Sequence, residues 1–335
     1  MSLLFASNRW GNDGDIDYNA EAQYILKKIM DKKGVGGVNN MFNPSNHTVV
    51  FAPNWDNINF GDPSYCLPGF MELWARWTES NKDFWAQTAE AARKLLRLSC
   101  NSESGLFPDY CQFDGTPYRP EWQGYDTKQY KYDAIRCAMN VGMDYNWFRT
   151  DSVNQTAMMT RLLSFFQKDG YNHGYFDWDG QNPSGNYNEG VAGTNGVACF
   201  AVNDEALTKR ALEIFWNTQA PTGQWRYYNG MVYFLSLLNA SGNFKIYKPM
   251  PTENSAKVTE STKNDFLLTP NPTDSKVKIV SNEPIIKADV YDIDGKLVNT
   301  TTCETIDMTE QKKGCYLVKV QTKDSNAKVA KLTKN

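Results

Sequence analysis

A change of hydrophobic period near residue 249 sets the tightest limit on the folds open to this chain. Before it, apolar residues recur at helical spacing. Ala22, Ile25, Leu26 and Ile29 mark one face of a helix over 20–32, and Phe84, Ala91, Leu95 and Leu98 one side of another over 83–98. The same spacing predicts helices over 67–78, 130–147, 152–167, 195–202, 204–216 and 230–241. After the change, Val277–Val280, Ile286–Ile293, Lys296–Val298 and Tyr316–Gln321 alternate apolar and polar residues, as half-buried strands do. Asp294-Gly295 predicts a tight hairpin turn between two of them. The stretch 249–265 opens PMPTENSAKVTESTK, is polar and has no period, so it reads as a linker. The expected organisation is a helical domain over 1–248, a linker over 249–265 and a small β-sandwich over 266–335. Long loops rich in Gly, Pro, Asn and aromatic residues, such as Phe51–Pro63 and Phe107–Gly124, separate the helices. Loops of that length are more often functional than idle. Helices alternating with such loops predict an α/α toroid.

Several classes of partner are disfavoured. The net charge is −3 with no long basic run, which argues against nucleic acid or an anionic membrane surface as the main partner. No apolar run is long enough to span a membrane. The opening MSLLFASNRW lacks the basic start and apolar length of a signal peptide. Seven cysteines without CxxC spacing and only two histidines predict neither a metal site nor a cofactor. Cys137 and Cys199 read as small core residues, and a Cys303–Cys315 bridge is open only in an oxidising compartment. Asp13, Asp15 and Asp17 read as a polar loop favourable to the dipole of the helix that follows. A calcium loop there would need Gly and Glu where Tyr18 and Tyr24 stand.

Asp133 and Arg136 are spaced to share one helical face. Two readings follow. One is a solvated ion pair of little energetic worth. The other is a carboxylate held charged in a cleft, suited to general base catalysis. The apolar flanks Ala134, Ile135, Cys137, Ala138, Met139 and Val141 leave little polar surface for the first.

The stretch Tyr132-Asp133-Ala134-Ile135-Arg136 resembles the Tyr-Asp-Ala-x-Arg motif of glycoside hydrolase family 8. That family includes endoglucanases, chitosanases and xylan-active enzymes. Phe5-Ala6-Ser7-x-Arg9-Trp10-Gly11, Asp62-Pro63-Ser64-Tyr65-x-Leu67-Pro68, Asn146-Trp147-Phe148 and Arg226-Tyr227-Tyr228 also resemble its reducing-end xylose-releasing exo-oligoxylanases. The resemblance implies a mostly α fold, an (α/α)₆ barrel, acting on an oligosaccharide. It implies Asp133 as the general base of an inverting mechanism, Arg136 as its support, and Tyr65 as the residue that positions the attacking water. The other reading of Tyr65 is a packed residue at a helix start. Trp10, Trp55, Trp122 and Trp178 are candidates for stacking on sugars or for plain core. Asp109 is a candidate for binding sugar hydroxyls or for holding a turn.

An inverting glycosidase also needs an acid about 6.5–9.5 Å from the base. The family's acid is a Glu upstream of every motif matched here. Its second carboxylate, an Asp, opens a signature whose ending fits Ser2–Trp10. The expectation is therefore an incomplete barrel lacking its first helices, exposed around Leu3–Phe5, and inactive without that acid. Glu121 and Glu189 have no family precedent as substitutes. Tyr187 stands where the exo-acting subgroup has a blocking His, which leaves endo-acting β-1,4-glucanase or chitosanase open, as well as a catalytically dead sugar-binding protein. In the C-terminal region, Leu268-Thr269-Pro270-Asn271-Pro272, Val290–Lys296 and Gly314–Val320 stand ahead of a basic tail over 328–334. This resembles the sorting domain of the type IX secretion system. It implies that machinery as a partner and a secreted or cell-surface location, with a generic fibronectin-like module as the alternative.

Overall fold

The computed structural model describes residues 1–224, 226–249, 266–281, 283–293, 295–323 and 327–335, apart from the side chains of Trp55 and Asp56. The linker beyond Pro249 and Asp294 of the expected hairpin turn lie outside the described residues. The chain divides into two compact units, Met1–Met250 and Pro251–Asn335.

The first unit is helical: α1 (Ser2–Trp10), α2 (Tyr18–Met30), α3 (Pro68–Trp77), α4 (Lys82–Ser99), α5 (Arg136–Trp147), α6 (Ser152–Asp169), α7 (Glu189–Ala198), α8 (Glu205–Asn217) and α9 (Arg226–Ala240). Side-chain caps start several of them. Asp17 accepts from the Ala20 N–H at 2.9 Å, Asn188 from Val191 at 3.1 Å and Asp204 from Leu207 at 3.0 Å. Neighbouring helices pack as α1 on α2, α3 on α4, α5 on α6, and α7 against α5, α8 and α9. This is the (α/α) barrel architecture. Helix α7 runs from Glu189 to Ala198, so the helix expected over 195–202 begins six residues earlier; buried from Gly190 to Ala198, it has no polar face to mark its start in the sequence. Its backbone touches α5, where a side chain at Gly142 would collide with the Val197 carbonyl. A buried charge cluster joins four helices. Arg93 of α4 donates from Nε and Nη2 to Asp144 of α5, both at 2.9 Å, and from Nη1 to Glu72 of α3 at 3.1 Å. Gln155 of α6 donates to the same Asp144 at 2.7 Å.

Two further expectations need correction. The helix expected from Tyr130 begins at Arg136. Tyr130 belongs instead to strand β1 (Gln129–Tyr130), paired with Phe176 of β2 (His173–Asp177), which in turn pairs with β3 (Ser184–Asn186). The exposure expected around Leu3–Phe5 is also absent. Leu4 and Phe5 are buried, and the Phe5 ring lies 5.5–6.2 Å from those of Trp77, Trp147, Phe244 and Tyr247. Exposed apolar side chains are spread over the unit, with one group on α8 and α9: Leu212, Trp216, Tyr227, Met231 and Phe234.

The second unit contains two antiparallel sheets. One has the order β10 (Lys328–Lys334), β9 (Gly314–Thr322), β6 (Ile285–Tyr291), β7 (Leu297–Thr301); the other is β4 (Phe266–Thr269), β5 (Lys276–Ser281), β8 (Thr305–Asp307). Val277, Ile279 and Ile306 share a core with Val290, Val318 and Leu332. The basic tail is thus an edge strand: its lysines keep the edge charged while Leu332 is buried. Cys303 and Cys315 are free and exposed.

Candidate active site

The site forms where the start of α5 meets the segment Asp62–Pro68. Asp62 caps a short 3₁₀ turn over Pro63–Tyr65, its Oδ1 accepting from the Ser64 N–H at 2.7 Å. Asn140 of α5 ties this segment down, donating to the Ser64 and Cys66 carbonyls at 2.8 and 3.1 Å. Arg136 Nη2 stands among three oxygens: Asp133 Oδ1 at 2.8 Å, Ser64 Oγ at 2.6 Å and Asp62 Oδ2 at 3.3 Å. That nitrogen carries two protons, so three acceptors compete for it. Asp62 is fully buried. Burial pushes its carboxyl well above the ordinary range, the charge of Asp133 adds to this, and Arg136 opposes it. Asp133 is half-buried and keeps a face to solvent.

Tyr65 completes this group. Its ring lies 5.9 Å from the Arg136 guanidinium carbon and stacks on Phe51 at 6.1 Å, with planes 9° apart. Burial, then the charges of Asp62 and Asp133, push its hydroxyl up to about 12. It therefore stays a neutral donor and acceptor at any working pH. Phe51 also lies 5.8 Å from Trp122, which is 56% exposed and donates its indole N–H to Asn57 at 3.1 Å. An aromatic row thus runs from Tyr65 through Phe51 to an open Trp122. On the other side, the Tyr228 hydroxyl donates to the Tyr132 carbonyl at 2.6 Å.

The remaining candidates are placed differently. Asp109 is fully buried, so its carboxylate is not available to a sugar hydroxyl. Its Oδ1 accepts the N–H groups of Asp133 and Ala134 at 2.8 and 2.9 Å. The Trp178 indole donates to the Ser99 carbonyl at 2.8 Å and its own carbonyl accepts from Ser104, fastening the β2 hairpin to the end of α4. Tyr187 packs against Phe166 and Tyr171, and its hydroxyl accepts from Asn195 at 2.9 Å. Trp10 is exposed at the end of α1 beside Tyr18. The Trp55 side chain lies outside the described residues. Sequence reasoning gives no role to Asp62, Phe51 or Tyr228, because their part in the site arises only from long-range contact. Among the described residues, no group of His, Cys, Asp and Glu is arranged to hold a metal, and no helix is long and apolar enough to cross a membrane.

The buried state of Asp109 has a measurable consequence. Burial pushes its carboxyl up to about 7, from 3.8 for an ordinary carboxyl, and the charge of Asp133 adds to this against the Ala134 N–H. A carboxyl raised on folding favours the native state at low pH, and that advantage is lost as pH rises through the folded value. Asparagine at 109 does not ionise. Between pH 4.5 and 8 the stability of Asp109→Asn relative to wild type is therefore expected to rise, by about 3 kcal/mol. Urea midpoints of both proteins at the two pH values measure this, and a constant difference would refute it.

Residues 1–242 match the glycosyl hydrolases family 8, and residues 268–335 match the secretion system C-terminal sorting domain. The reducing-end xylose-releasing exo-oligoxylanase Rex8A of Paenibacillus barcinonensis is 36% identical over 254 residues, which cover 74% of this chain and 65% of that protein. The chain thus spans just under two thirds of the length of that relative. The structure of Rex8A complexed with xylose superposes with a TM-score of 0.68, at 35% identity over 74% of this chain and 66% of that one. A xylobiose complex from Teredinibacter turnerae gives 0.69, at 34% identity over 74% and 65%.

Proposed function

Because the chain belongs to glycosyl hydrolase family 8, we propose that its helical unit is built to hydrolyse xylo-oligosaccharides derived from β-1,4-xylan, with inversion at the cleaved carbon. The observation that carries this reading is the Asp133–Arg136 pair beside Tyr65. Asp133 takes a proton from water as the water attacks the anomeric carbon. Arg136 pairs with that carboxylate at 2.8 Å, and the neutral Tyr65 hydroxyl orients the water by a hydrogen bond. Trp122 offers an open ring face on which a pyranose can stack, and Trp10 and Trp55 are further candidates for sugar contact. Trp178 and Tyr187 are engaged in hydrogen bonds to Ser99 and Asn195 and are read as packing residues rather than sugar contacts.

Inversion needs a second carboxyl that protonates the leaving oxygen across the sugar from the base. None of the carboxyls around Asp133 has that freedom. Asp62 and Asp109 are fully buried, and both hold backbone N–H groups. These residues by themselves are therefore expected to bind sugar and cleave it slowly. The C-terminal unit, matching the sorting domain of the type IX secretion system, marks the chain as secreted or cell-surface and directs it to that machinery.

Affinity tests the substrate class. Titration of the chain with xylotetraose, cellotetraose and chitosan tetramer should give the tightest binding to xylotetraose, with Trp122→Ala weakening it about tenfold or more. Preference for cellotetraose or the chitosan tetramer would overturn the xylan assignment.

A further inference from the structure

Asp133 is not carried by a regular helix. It sits on the turn Tyr132–Ile135, immediately before α5. The first backbone N–H groups at a helix entrance have no partner within the helix. Here two of them, on Asp133 and Ala134, converge on a single oxygen, Asp109 Oδ1, at 2.8 and 2.9 Å. That oxygen belongs to another part of the chain, and its own backbone is fixed on both sides. The Asp109 N–H donates to the Gln129 carbonyl at 3.0 Å, and the Tyr110 N–H to that of Thr127 at 3.0 Å.

We propose that Asp109 is a positioning residue for Asp133: by holding the two N–H groups of the Tyr132–Ile135 turn, its carboxylate fixes the direction in which the Asp133 side chain meets Arg136 and the cleft. The proposal rests on Asp133 being the base. It deepens that reading by giving a role to a carboxylate that cannot itself reach substrate. Hydrogen bonds from N–H to an ionised carboxylate are shorter and stronger than those to a neutral acceptor. A displacement of about 1 Å in a reacting group costs on the order of 10²-fold in rate, so rigid placement has a large return. Because burial raises the Asp109 carboxyl to about 7, the turn is held most firmly above neutrality and loosens as the carboxyl gains a proton. The titratable groups facing Asp109 are Tyr125, Tyr130, Asp133, Tyr175 and Tyr228. The tyrosines all stay neutral in that range, since burial raises each of their hydroxyls.

The sequence supplies a direct probe. Asp133-Ala134 is the only Asp-Ala dipeptide in the chain. Labelling with carbonyl-¹³C aspartate and ¹⁵N alanine therefore isolates the Ala134 amide of the full chain as a single NMR signal. In wild type that signal should move with pH with a midpoint near 7, and the amide should be protected from exchange. Asp109→Asn should abolish the movement, whereas Asp133→Asn should keep it, which separates the two carboxyls. Asp109→Ala should speed Ala134 exchange about tenfold or more. The proposal is overturned if the movement survives Asp109→Asn, or if Asp109→Ala leaves exchange unchanged. Should Asp109→Ala not fold, the near-isosteric Asp109→Asn decides alone. None of these readouts needs hydrolysis. Failure of the base assignment would appear separately, as an Asp133→Asn protein with undiminished chemistry.

Discussion

β-Xylobiosyl fluoride is expected to be hydrolysed by the 335-residue chain, and Asp133→Asn to remove about 10²–10⁴ of that rate. Fluoride departs as a stable anion and needs little help from an acid. The reaction then depends chiefly on activation of the attacking water, which is the work assigned to Asp133. An asparagine keeps the shape and can still accept from Arg136, but it cannot take the proton of the water. The same experiment reads stereochemistry. Attack opposite the departing fluoride gives the α-anomer of xylobiose first, visible by proton NMR before mutarotation. Undiminished hydrolysis by Asp133→Asn would end the base assignment, and β-xylobiose as first product would end the inverting one.

Xylohexaose is expected to behave in the opposite way. Measured beside Rex8A, the same chain should turn it over about 10²–10⁴ times more slowly. The leaving group is now a sugar alkoxide, poor unless protonated as the bond breaks. Asp62 and Asp109 are buried and held, so neither can deliver a proton to that oxygen. Comparing the two substrates isolates proton donation to the leaving oxygen, because base and water are common to both. Rapid xylohexaose turnover abolished by Asp133→Asn would reveal an acid within the chain, and Glu121→Gln and Glu189→Gln would then find it. Rapid turnover that survives Asp133→Asn would remove both assignments together.

The parts of this molecule legible from sequence are those in which local pattern and tertiary packing agree. Helices α2, α4, α6 and α8 each have a polar outer face and start or end close to where their spacing predicts. Helix α1 carries no side-chain cap at Met1, and its apolar residues read more readily as a motif fragment than as a helix. The expected helix from Tyr130 fails for a definite reason. Local propensity favours continuing it, but Tyr130 is drawn into pairing with Phe176, and Asp109 takes the N–H groups that a preceding turn would have used. Strand β10 hides its period because an edge strand can carry lysine on positions that a central strand would give to apolar residues. At the site, Asp133, Arg136 and Tyr65 are visible through their motifs. The second partner of Arg136 is not, since nothing near Asp62 in sequence announces a residue so far along the chain.

The cluster around Arg93 has a bearing on how the molecule comes apart. One guanidinium, one fully buried carboxylate, Gln155 and Glu72 bind α3, α4, α5 and α6 to a common point. Removing α4 leaves Asp144, and removing α5 leaves Arg93, without its main partner, at a cost of about 3–5 kcal/mol. Helices α4 and α5 are therefore the pair this cluster holds most firmly, with α3 and α6 joined to it by one hydrogen bond each. The α8–α9 side, with Trp216 and Tyr227 turned to water, has no buried charge cluster of this kind among its described residues, and its tie to the site is the Tyr228 hydroxyl on the Tyr132 carbonyl. Helix α5, which follows the base, thus belongs to the firmly tied part of the unit, and a loosening of α9 would reach the base through Tyr228 and the Tyr132–Ile135 turn.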